Sequence, residues 1–483
     1  MGAFNEIWDA FWAIPYIGSY LSVAWVGYLL WLAIWIVLQK REPAATLSWL
    51  FGLALLPYVG LLVYYLFGPQ RIHRQQRRRA RTRCERDLTE AELDCTDNDF
   101  ARLLVGSSGF PLTTATRVDL LVDGGQTYES LIEAIGKARR HVHAEYYIFA
   151  ADRSGTAVRD ALIAAAKRGV KVRLLLDALG SGFGMRAGWF KELTDAGGEV
   201  QWFHRLRVWR FWRKPWLNLR SHRKIVVIDG RIGFTGGINV TDDEDERRRK
   251  DAYRDLHLRV EGRIVRSLQQ LFIEDWAYTR RLRTRLLERE ADHRDHDAGQ
   301  GDMSAQLIAS GPDDRWESIH RAWVSAIHAA KQRLWLATPY FVPGEAAMMA
   351  LTSAALRGVD VRLILPRRSD SLLVTWAARS YFDELAPAGV RIFEYGPRML
   401  HSKAMLADDE LVIIGSANFD HRSFRLNFEA AVCLRDTAIC SELEQVMRSD
   451  LESAVEVEPK AWRERSVWQR LPEAFARLMS PLL

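Results

Sequence analysis

Two blocks of the chain carry the same potentially reactive residues at the same spacing, His-x-Lys-x4-Asp. The six residues are His222, Lys224, Asp229, His401, Lys403 and Asp408. An imidazole titrates near neutral pH and can attack or transfer a proton, and a neighbouring ammonium can offset negative charge. Residues two apart on a strand point to the same side, and an unpaired lysine is costly to bury. Each His–Lys pair is therefore predicted to line a polar site rather than a core.

Each block runs on into a turn of small residues that ends in asparagine. The turns are Gly-Gly-Ile-Asn at 236–239 and Gly-Ser-Ala-Asn at 415–418. Backbone amides and small side chains in such turns can hold phosphate oxygens, which makes Asn239, Asn418 and Ser416 candidate phosphate-binding residues. One His–Lys pair alone would be a weak signal, but two copies that each lead into an equivalent turn are a strong one.

The two blocks belong to a longer internal repeat. Three segments match in the same order, 127–149 with 315–342, 167–176 with 356–365, and 222–239 with 401–418. Predicted helices alternate with short apolar runs rich in β-branched residues, which are typical of buried strands. The repeat therefore predicts a duplicated α/β domain with a mostly parallel or mixed sheet covered by helices.

Two long uncharged stretches open the chain. No Asp, Glu, Lys or Arg occurs at 10–39 or at 43–70. Their apolar bodies, about 16–38 and 44–67, each have the roughly 20 residues that a membrane span requires, so residues 1–70 are predicted to form a two-helix transmembrane hairpin. A buried soluble hairpin and a signal peptide are the alternatives; the signal peptide is disfavoured because the first ten residues carry two acids and no cation.

A basic juxtamembrane linker is predicted at 71–110. Arginines cluster at its start, where the chain has Arg71, Arg74, Arg77, Arg78, Arg79, Arg81 and Arg83. The turn between the apolar stretches has only Lys40 and Arg41, so the positive-inside rule predicts that the chain from Arg71 onward lies in the cytoplasm.

A basic and aromatic stretch at 204–220 leads into His222, in a chain with a net charge of +6. Rings and cations together suit the headgroup zone of an anionic bilayer, so Arg210, Trp212, Arg213 and Trp216 are predicted to contact headgroups. A single-stranded nucleic-acid groove and a partly buried loop are the alternatives. The apolar hairpin favours the membrane interpretation, and no nucleic acid is expected as a partner.

No metal site and no cofactor are predicted. His, Cys and carboxylate residues do not cluster at zinc-like spacing, and a lysine two residues from each histidine would repel a cation. The acidic run DDEDE at 242–246 remains a candidate for a divalent ion, although such runs are usually solvated loops. At the C-terminus, residues 467–483 carry an apolar helical stripe, which fits a helix lying on a bilayer or, in the favoured interpretation, a helix that caps the second half.

The pattern H-x-K-x4-D-x6-G-[GS]-x-N, present twice, resembles the HKD signature of the phospholipase D superfamily over about 118–434. The apolar segment 45–68, the segment 217–239 and "TPYFVP" at 338–343 are also similar to bacterial cardiolipin synthases. The resemblance implies two tandem phospholipase D-like α/β/α domains with pseudo-twofold symmetry after the hairpin. They are placed at 111–286 and 305–483, with a linker at 287–304.

The resemblance also implies roles for the site residues. His222 is expected to attack phosphorus and His401 to act as the acid and base, with Lys224 and Lys403 offsetting phosphate charge, although the repeated motif itself is symmetric. The carboxylates expected to orient the histidines are Asp255 and Glu429. Asp229 and Asp408 sit where a strand turns, and they are either part of the catalytic set or structural hydrogen-bond anchors.

The activity that the resemblance implies is phosphatidyl transfer between two molecules of phosphatidylglycerol, giving cardiolipin and glycerol. The expected setting is the cytoplasmic side of a bacterial inner membrane, in a multi-pass protein that takes an anionic phospholipid as substrate. A phospholipase D hydrolase and a membrane-tethered phosphodiesterase or nuclease share the same motif and remain the alternatives, as does a non-enzymatic scaffold. The second substrate and the oligomeric state stay open.

Overall fold

A computed structural model describes most of the chain. The described residues are 15–38, 43–56, 98–182, 188–204, 219–280 and 301–480, with the single positions 58, 60, 61 and 64. They fall into an N-terminal helical unit and a larger α/β unit.

Helices α1 (Ile17–Val37) and α2 (Pro43–Leu55) form the N-terminal unit. Among the described residues α1 is the one helix long and apolar enough to cross a membrane, with a mean hydropathy that reaches 1.9. Its 21 residues span about 31 Å, close to the thickness of a bilayer core. Leu32 and Ile36 of α1 pack with Leu53 of α2. The second predicted span, 44–67, lies partly outside the described residues.

The first half of the α/β unit is built on a seven-stranded sheet. Its strands are β2 (Arg117–Val122), β3 (His141–Tyr146), β4 (Lys171–Asp177), β5 (Glu199–Phe203), β6 (Ile225–Ile228), β7 (Ile232–Gly236) and β8 (Leu256–Glu261). Their order is β2-β8-β7-β6-β3-β4-β5. The strands β3, β4 and β5 are parallel, and the other pairings are antiparallel.

The second half is built on a nine-stranded sheet. Its strands are β1 (Leu112–Ala115), β9 (Met303–Ser310), β10 (Arg333–Ala337), β12 (Asp360–Pro366), β13 (Arg391–Tyr395), β14 (Ala404–Ala407), β15 (Leu411–Gly415), β17 (Glu429–Arg435) and β18 (Ala454–Glu456). The order is β1-β9-β17-β15-β14-β10-β12-β13-β18, and β11 (Phe341–Val342) pairs separately with β16 (Phe419–Asp420). Without its edge strands β1 and β18, this sheet repeats the strand order of the first, in agreement with the internal repeat.

Helices flank both sheets. They are α3 (Asp99–Ser108), α4 (Asp123–Lys137), α5 (Arg153–Lys167), α6 (Lys191–Asp195), α7 (Ile264–Arg280), α8 (Ser318–Ala329), α9 (Glu345–Leu356), α10 (Leu372–Arg379), α11 (Phe382–Leu385), α12 (His421–Arg425), α13 (Thr437–Glu452), α14 (Pro459–Arg463) and α15 (Val467–Leu478). Helix α5 begins at Arg153, where the side chain of Asp152 caps the first turn by accepting a hydrogen bond from Gly155 N (2.8 Å).

The chain segment around residue 111 packs with the second half of the α/β unit. Strand β1 pairs antiparallel with β9 of the second-half sheet, and α3 buries Phe100 and Leu104 in the core of that half. Part of the segment predicted as a basic linker is thus a packed helix, because its apolar face finds cover against the second half. Strand β9 likewise begins at Met303, inside the predicted 287–304 linker.

The two halves share one buried core. Ile225 of β6 and Leu258 of β8 lie in the same apolar cluster as Trp335 of β10 and Leu406 of β14. The helices α7 and α13 add apolar side chains to this cluster. Burial of this surface is the main force that holds the two halves together, and it allows side chains from both to build one site.

Candidate active site

The two His–Lys pairs lie in the chain segments immediately before the equivalent strands β6 and β14, one step outside the strands on which they were predicted. Lys224 and Lys403 are fully buried. Each lysine folds back on the histidine two residues before it, and Lys224 Nζ donates to His222 O over 2.8 Å while Lys403 Nζ donates to His401 O. The ammonium groups are therefore held beside their histidines, away from solvent.

Backbone pairing carries each histidine to the opposite half of the chain. His222 N–H donates to Phe428 O over 2.9 Å, and His401 N–H donates to Arg254 O over 2.7 Å. The two accepting residues come immediately before the predicted orienting carboxylates. Each motif segment is thus fastened to the carboxylate-bearing segment of the other half.

Two buried arginines hold this crossing in place. Arg223 donates from Nε to Glu429 O over 3.1 Å and pairs with Asp275. Arg254 donates from Nε to Asp450 Oδ1 over 2.8 Å. Removal of one partner from a buried ion pair typically costs about 3–5 kcal/mol, so these contacts make the crossing expensive to break.

The side chains follow the backbone, and each histidine meets the carboxylate of the other half. His222 Nδ1 lies 3.0 Å from Ser416 O and 3.1 Å from Glu429 Oε2. His401 Nδ1 lies 2.6 Å from Asp255 Oδ2. Both neighbours of His222 Nδ1 are acceptors, so this nitrogen carries the proton and Nε2 keeps a lone pair. The structure brings the two histidines, the two lysines and the two predicted carboxylates into one site.

The small residues of the two turns set the positions of these carboxylates. Ser416 Oγ donates to Glu429 Oε2 over 2.5 Å. In the first half a Cβ at Gly237 would lie 2.2 Å from Asp255 Oδ1. The first half therefore combines Gly237 with the shorter side chain of Asp255, and the second half combines Ser416 with the longer side chain of Glu429. The serine hydroxyl that was predicted to bind phosphate contacts a carboxylate in this structure.

The two predicted asparagines differ in their contacts. Asn239 donates from Nδ2 to Glu244 Oε1 (2.7 Å) and accepts at Oδ1 from Ile148 N (3.1 Å). Asn418 is also buried, and its Oδ1 has no hydrogen-bond partner among the described residues. Both the amide nitrogen and the amide oxygen of Asn239 are thus used to hold the turn, whereas the Oδ1 of Asn418 is available to accept a hydrogen bond.

Asp229 and Asp408 lie at the opposite ends of the short strands from the histidines. Asp229 accepts backbone hydrogen bonds from three consecutive residues at 139–141, and Asp408 does the same at 331–333, at 2.7–3.2 Å. Both have left-handed backbones, with φ of 55° and 52°. Asp229 follows Lys224 by five residues of extended chain, which corresponds to a separation of about 16 Å. The geometry favours the structural-anchor interpretation.

Known families and proteins match this chain over nearly its whole length. The family model for "Cardiolipin synthase, PLD-like domain" matches residues 131–276 and 323–451, and a phospholipase D-nuclease N-terminal model matches 28–69. Cardiolipin synthase of Geobacillus sp. (strain WCH70) is 38% identical over 509 residues, which cover 100% of this chain and 97% of the relative. Cardiolipin synthase 1 of Bacillus anthracis is 36% identical over 482 residues, which cover 96% and 94%.

The chain belongs to the cardiolipin synthase family. Among solved structures, phosphatidylserine synthase of Haemophilus influenzae superposes with a TM-score of 0.59 at 13% identity, covering 80% of this chain and all of that one. This likeness shows a shared fold. The mixed α/β fold predicted from the sequence is that of a phospholipase D-like protein.

Burial dominates the electrostatics of this cardiolipin synthase site. It lowers the pKa of His222, against the opposing charge of Glu429. Burial and the Lys403 charge lower the pKa of His401 to about 4, and the same two causes lower the pKa of Lys224 to about 7. In the absence of a bound anion both imidazoles are therefore neutral at pH 7, and one of them must gain a proton before it can serve as an acid.

The orienting carboxylates remain ionised in spite of their burial. Burial alone would raise the pKa of Asp255, but the charges of Lys403 and His401 outweigh it and the pKa falls below its usual range. Burial acts on Glu429 in the same way, and the His222 charge and hydrogen bond bring its pKa down. Each carboxylate is thus suited to stabilise an imidazolium.

Glu244 is a third buried carboxylate, and the sequence singled it out only as one member of the acidic run at 242–246. The DDEDE run was predicted to be a solvated loop, which is wrong for Glu244 and Asp245, both of which are 1% exposed. Glu244 caps the turn at Asn239, and burial together with the charge of Asp255 raises its pKa to about 7. At the equivalent place in the second half, Ser423 Oγ accepts from Asn418 N. In the sequence, Glu244 stands five residues after Asn239, and Ser423 stands five residues after Asn418. This difference between the two repeats was the signal that could have singled out Glu244.

Glu244, Asp255 and His401 place their ligand atoms within 4.8 Å of one another, a spacing that would suit a metal ion. Lys403 Nζ lies 3.4 Å from Asp255 Oδ2 in the same cluster. An ammonium at this distance opposes a divalent cation and favours an anion. The predicted headgroup contacts Arg210, Trp212, Arg213 and Trp216 lie outside the described residues.

Proposed function

We propose that this enzyme transfers the phosphatidyl group of one phosphatidylglycerol to the hydroxyl of a second, through a phosphatidyl-histidine at His222, and releases glycerol. The observation that carries the proposal is the exchange of carboxylates between the halves. Each histidine has its Nδ1 held by an ionised partner, and two lysines lie beside the pair. This arrangement suits covalent exchange at an anionic phosphodiester.

In the first step His222 Nε2 attacks phosphorus and the bond from phosphorus to the glycerol oxygen breaks. His401, charged by a proton taken up when the phosphodiester binds, gives its Nε2 proton to that oxygen. Lys224 and Lys403 balance the charge on the non-bridging oxygens. Glu429 stabilises the positive charge that forms on His222 as it becomes bonded to phosphorus.

In the second step the now neutral His401 removes the proton from the primary hydroxyl of a second phosphatidylglycerol. The hydroxyl oxygen attacks phosphorus, the phosphorus–nitrogen bond breaks, and His222 returns to its neutral form. The products are cardiolipin and an enzyme in which His401 again carries a proton; that proton is lost to solvent when the product leaves. His401 serves as acid and then as base, as microscopic reversibility requires.

We place this chemistry on the cytoplasmic side of a bacterial inner membrane. The apolar helix α1 and the match of residues 28–69 to the N-terminal family model support a membrane anchor. The arginines at 71–83 support a cytoplasmic position for the α/β unit. The anchor is proposed to be the two-span hairpin, followed by phospholipase D-like domains at 111–286 and 305–483. Strand β1 lies at the start of the first of these ranges but pairs with the sheet of the second.

The test is lipid analysis after incubation of the purified, detergent-solubilised enzyme with phosphatidylglycerol alone. Cardiolipin and glycerol in equal amounts are expected, and neither is expected from the His222→Ala variant. Phosphatidic acid in place of cardiolipin would assign the site to hydrolysis. Turnover of an oligonucleotide with no change in the lipid would instead support a nuclease.

A further inference from the structure

Helix α15 turns its apolar side away from the protein. Trp468, Leu471, Phe475 and Leu478 recur at the spacing of one helical face, and each is between 54% and 82% exposed. A helix that only caps a domain would bury this apolar stripe. Instead the helix buries Ala476 and the side opposite the stripe.

Polar contacts on the inner side hold α15 in this orientation. Glu473 is 5% exposed and pairs with Arg465 at 2.6 and 2.9 Å. Arg477 Nη2 lies 2.6 Å from Glu384 of α11. A capping box between Ser466 and Gln469 fixes the first turn. The outward direction of the apolar stripe is therefore determined by specific ion pairs.

The surroundings of the stripe match a lipid interface. Helix α10 packs against α15 and exposes Leu372 and Trp376. Residues 459–478 carry five Lys or Arg and two Glu, an excess of cations. Exposed tryptophan and phenylalanine beside cations are typical of helices that lie in the headgroup zone of anionic membranes. The chain also carries the membrane-type helix α1, and its family acts on phospholipid.

We propose that the apolar stripe of α15, with Leu372 and Trp376 of α10, lies in the headgroup region of an anionic bilayer. It forms a membrane contact of the α/β unit that is separate from the N-terminal helix. The contact does not depend on the chemistry of the active site. Its role is to hold the catalytic unit on the surface from which substrate enters.

Depth-dependent fluorescence quenching tests the contact directly. Phe475→Cys is made in full-length enzyme with Cys84 and Cys95 replaced by serine, while the buried Cys433 and Cys440 are kept. The labelled protein is placed in phosphatidylglycerol-containing nanodiscs, one chain per disc. Nitroxides at the headgroup level are expected to quench the label at position 475. A matched label at Leu356→Cys, an exposed residue of α9, is expected to be quenched by iodide in the water instead.

Activity provides the second measurement. Leu471→Glu with Phe475→Glu is expected to raise the half-saturating fraction of phosphatidylglycerol about tenfold, with kcat within about twofold of wild type. The control, Met349→Glu with Leu356→Glu, places the same charges on exposed positions of α9 and is expected to change neither value. Equal iodide quenching at 475 and 356 would overturn the proposal, as would protection of 475 that appears only with two chains per disc, which would indicate a contact between copies.

Discussion

His222, in the first half of the chain, holds its Nδ1 3.1 Å from Oε2 of Glu429, in the second half. The reciprocal contact, between His401 and Asp255, is 2.6 Å long. Neither half therefore contains a complete His–carboxylate pair. The site depends on the shared core and on the backbone bonds that fasten each motif to the opposite half.

Glu429→Gln and Asp255→Asn are each expected to lower kcat by about 10²- to 10⁴-fold, because the neutral amide no longer stabilises the charged imidazole. The folded structure should persist, since the amides keep the shape of the carboxylates. Steady-state transfer assays and circular dichroism check the two statements. Glu410→Gln, in the exposed turn between β14 and β15, is the matched control, and an equal loss in that variant would contradict the assignment.

Gly237→Ser is expected to abolish most activity, because a Cβ at this position would lie 2.2 Å from Asp255 Oδ1. The double variant Gly237→Ser with Asp255→Glu reproduces the Ser416–Glu429 arrangement of the other half. It is expected to recover at least about tenfold of the lost rate, as coupled neighbours do. Gly136→Ser, where a Cβ meets nothing within 4 Å, serves as the control. Equal activity of single and double variants would show that the two positions are not coupled.

Asp229→Ala and Asp408→Ala are expected to destabilise the protein and to spare the chemistry. Each change removes three backbone hydrogen bonds to a carboxylate, and alanine fits the left-handed backbone poorly. The unfolding midpoint should fall by about 5 °C or more, with kcat of the folded enzyme within about threefold of wild type. A hundredfold loss of kcat at an unchanged midpoint would instead place these residues in the catalytic set.

The lowered pKa of Lys224 predicts that activity depends on pH. Its pKa is lowered to about 7 by burial and by the charge of Lys403, so the free enzyme loses this cation as pH rises above 7. Uptake of the His401 proton already makes kcat/KM fall as pH rises, and loss of the Lys224 charge should make the fall steeper above pH 7, by up to about a further tenfold per pH unit. Lys224→Arg stays charged, so its profile should lack this added steepness up to pH 9. A wild-type profile with no steeper fall above pH 7 would contradict the assigned role.

The sequence predicts the repeated α/β architecture because alternating helical and β-branched segments have strong periodicity, and because the repeat supplies an internal control. It also predicts both His–Lys pairs, since a buried lysine next to a histidine has no use in a core. The two histidines and two lysines of the cross-paired site were named from the repeated motif, and the carboxylates Asp255 and Glu429 from the family resemblance. The sequence did not predict that each histidine contacts the carboxylate of the other half, because a linear pattern does not show which segments of the two halves come together.

Two further features lay beyond the sequence for local reasons. Strand β1 joins the sheet of the second half because β9 offers a free edge there, and the adjacent helix α3 finds its apolar cover in the same half. In the sequence Glu244 is one acid in a run that is typical of a solvated loop. In the structure its carboxylate accepts a hydrogen bond from Asn239 and is buried beside the site. In both cases tertiary contacts override local polarity.

A covalent phosphatidyl group on His222 is the central element of the mechanism. Wild-type enzyme is mixed with phosphatidylglycerol, quenched within milliseconds by denaturant at mildly alkaline pH, which spares the phosphorus–nitrogen bond and the acyl esters, and then digested and examined by mass spectrometry. We expect an adduct of phosphatidyl mass on the peptide that contains His222, and its absence from the His222→Ala variant. An adduct on the His401 peptide, or undiminished cardiolipin synthesis by His222→Ala, would contradict the mechanism.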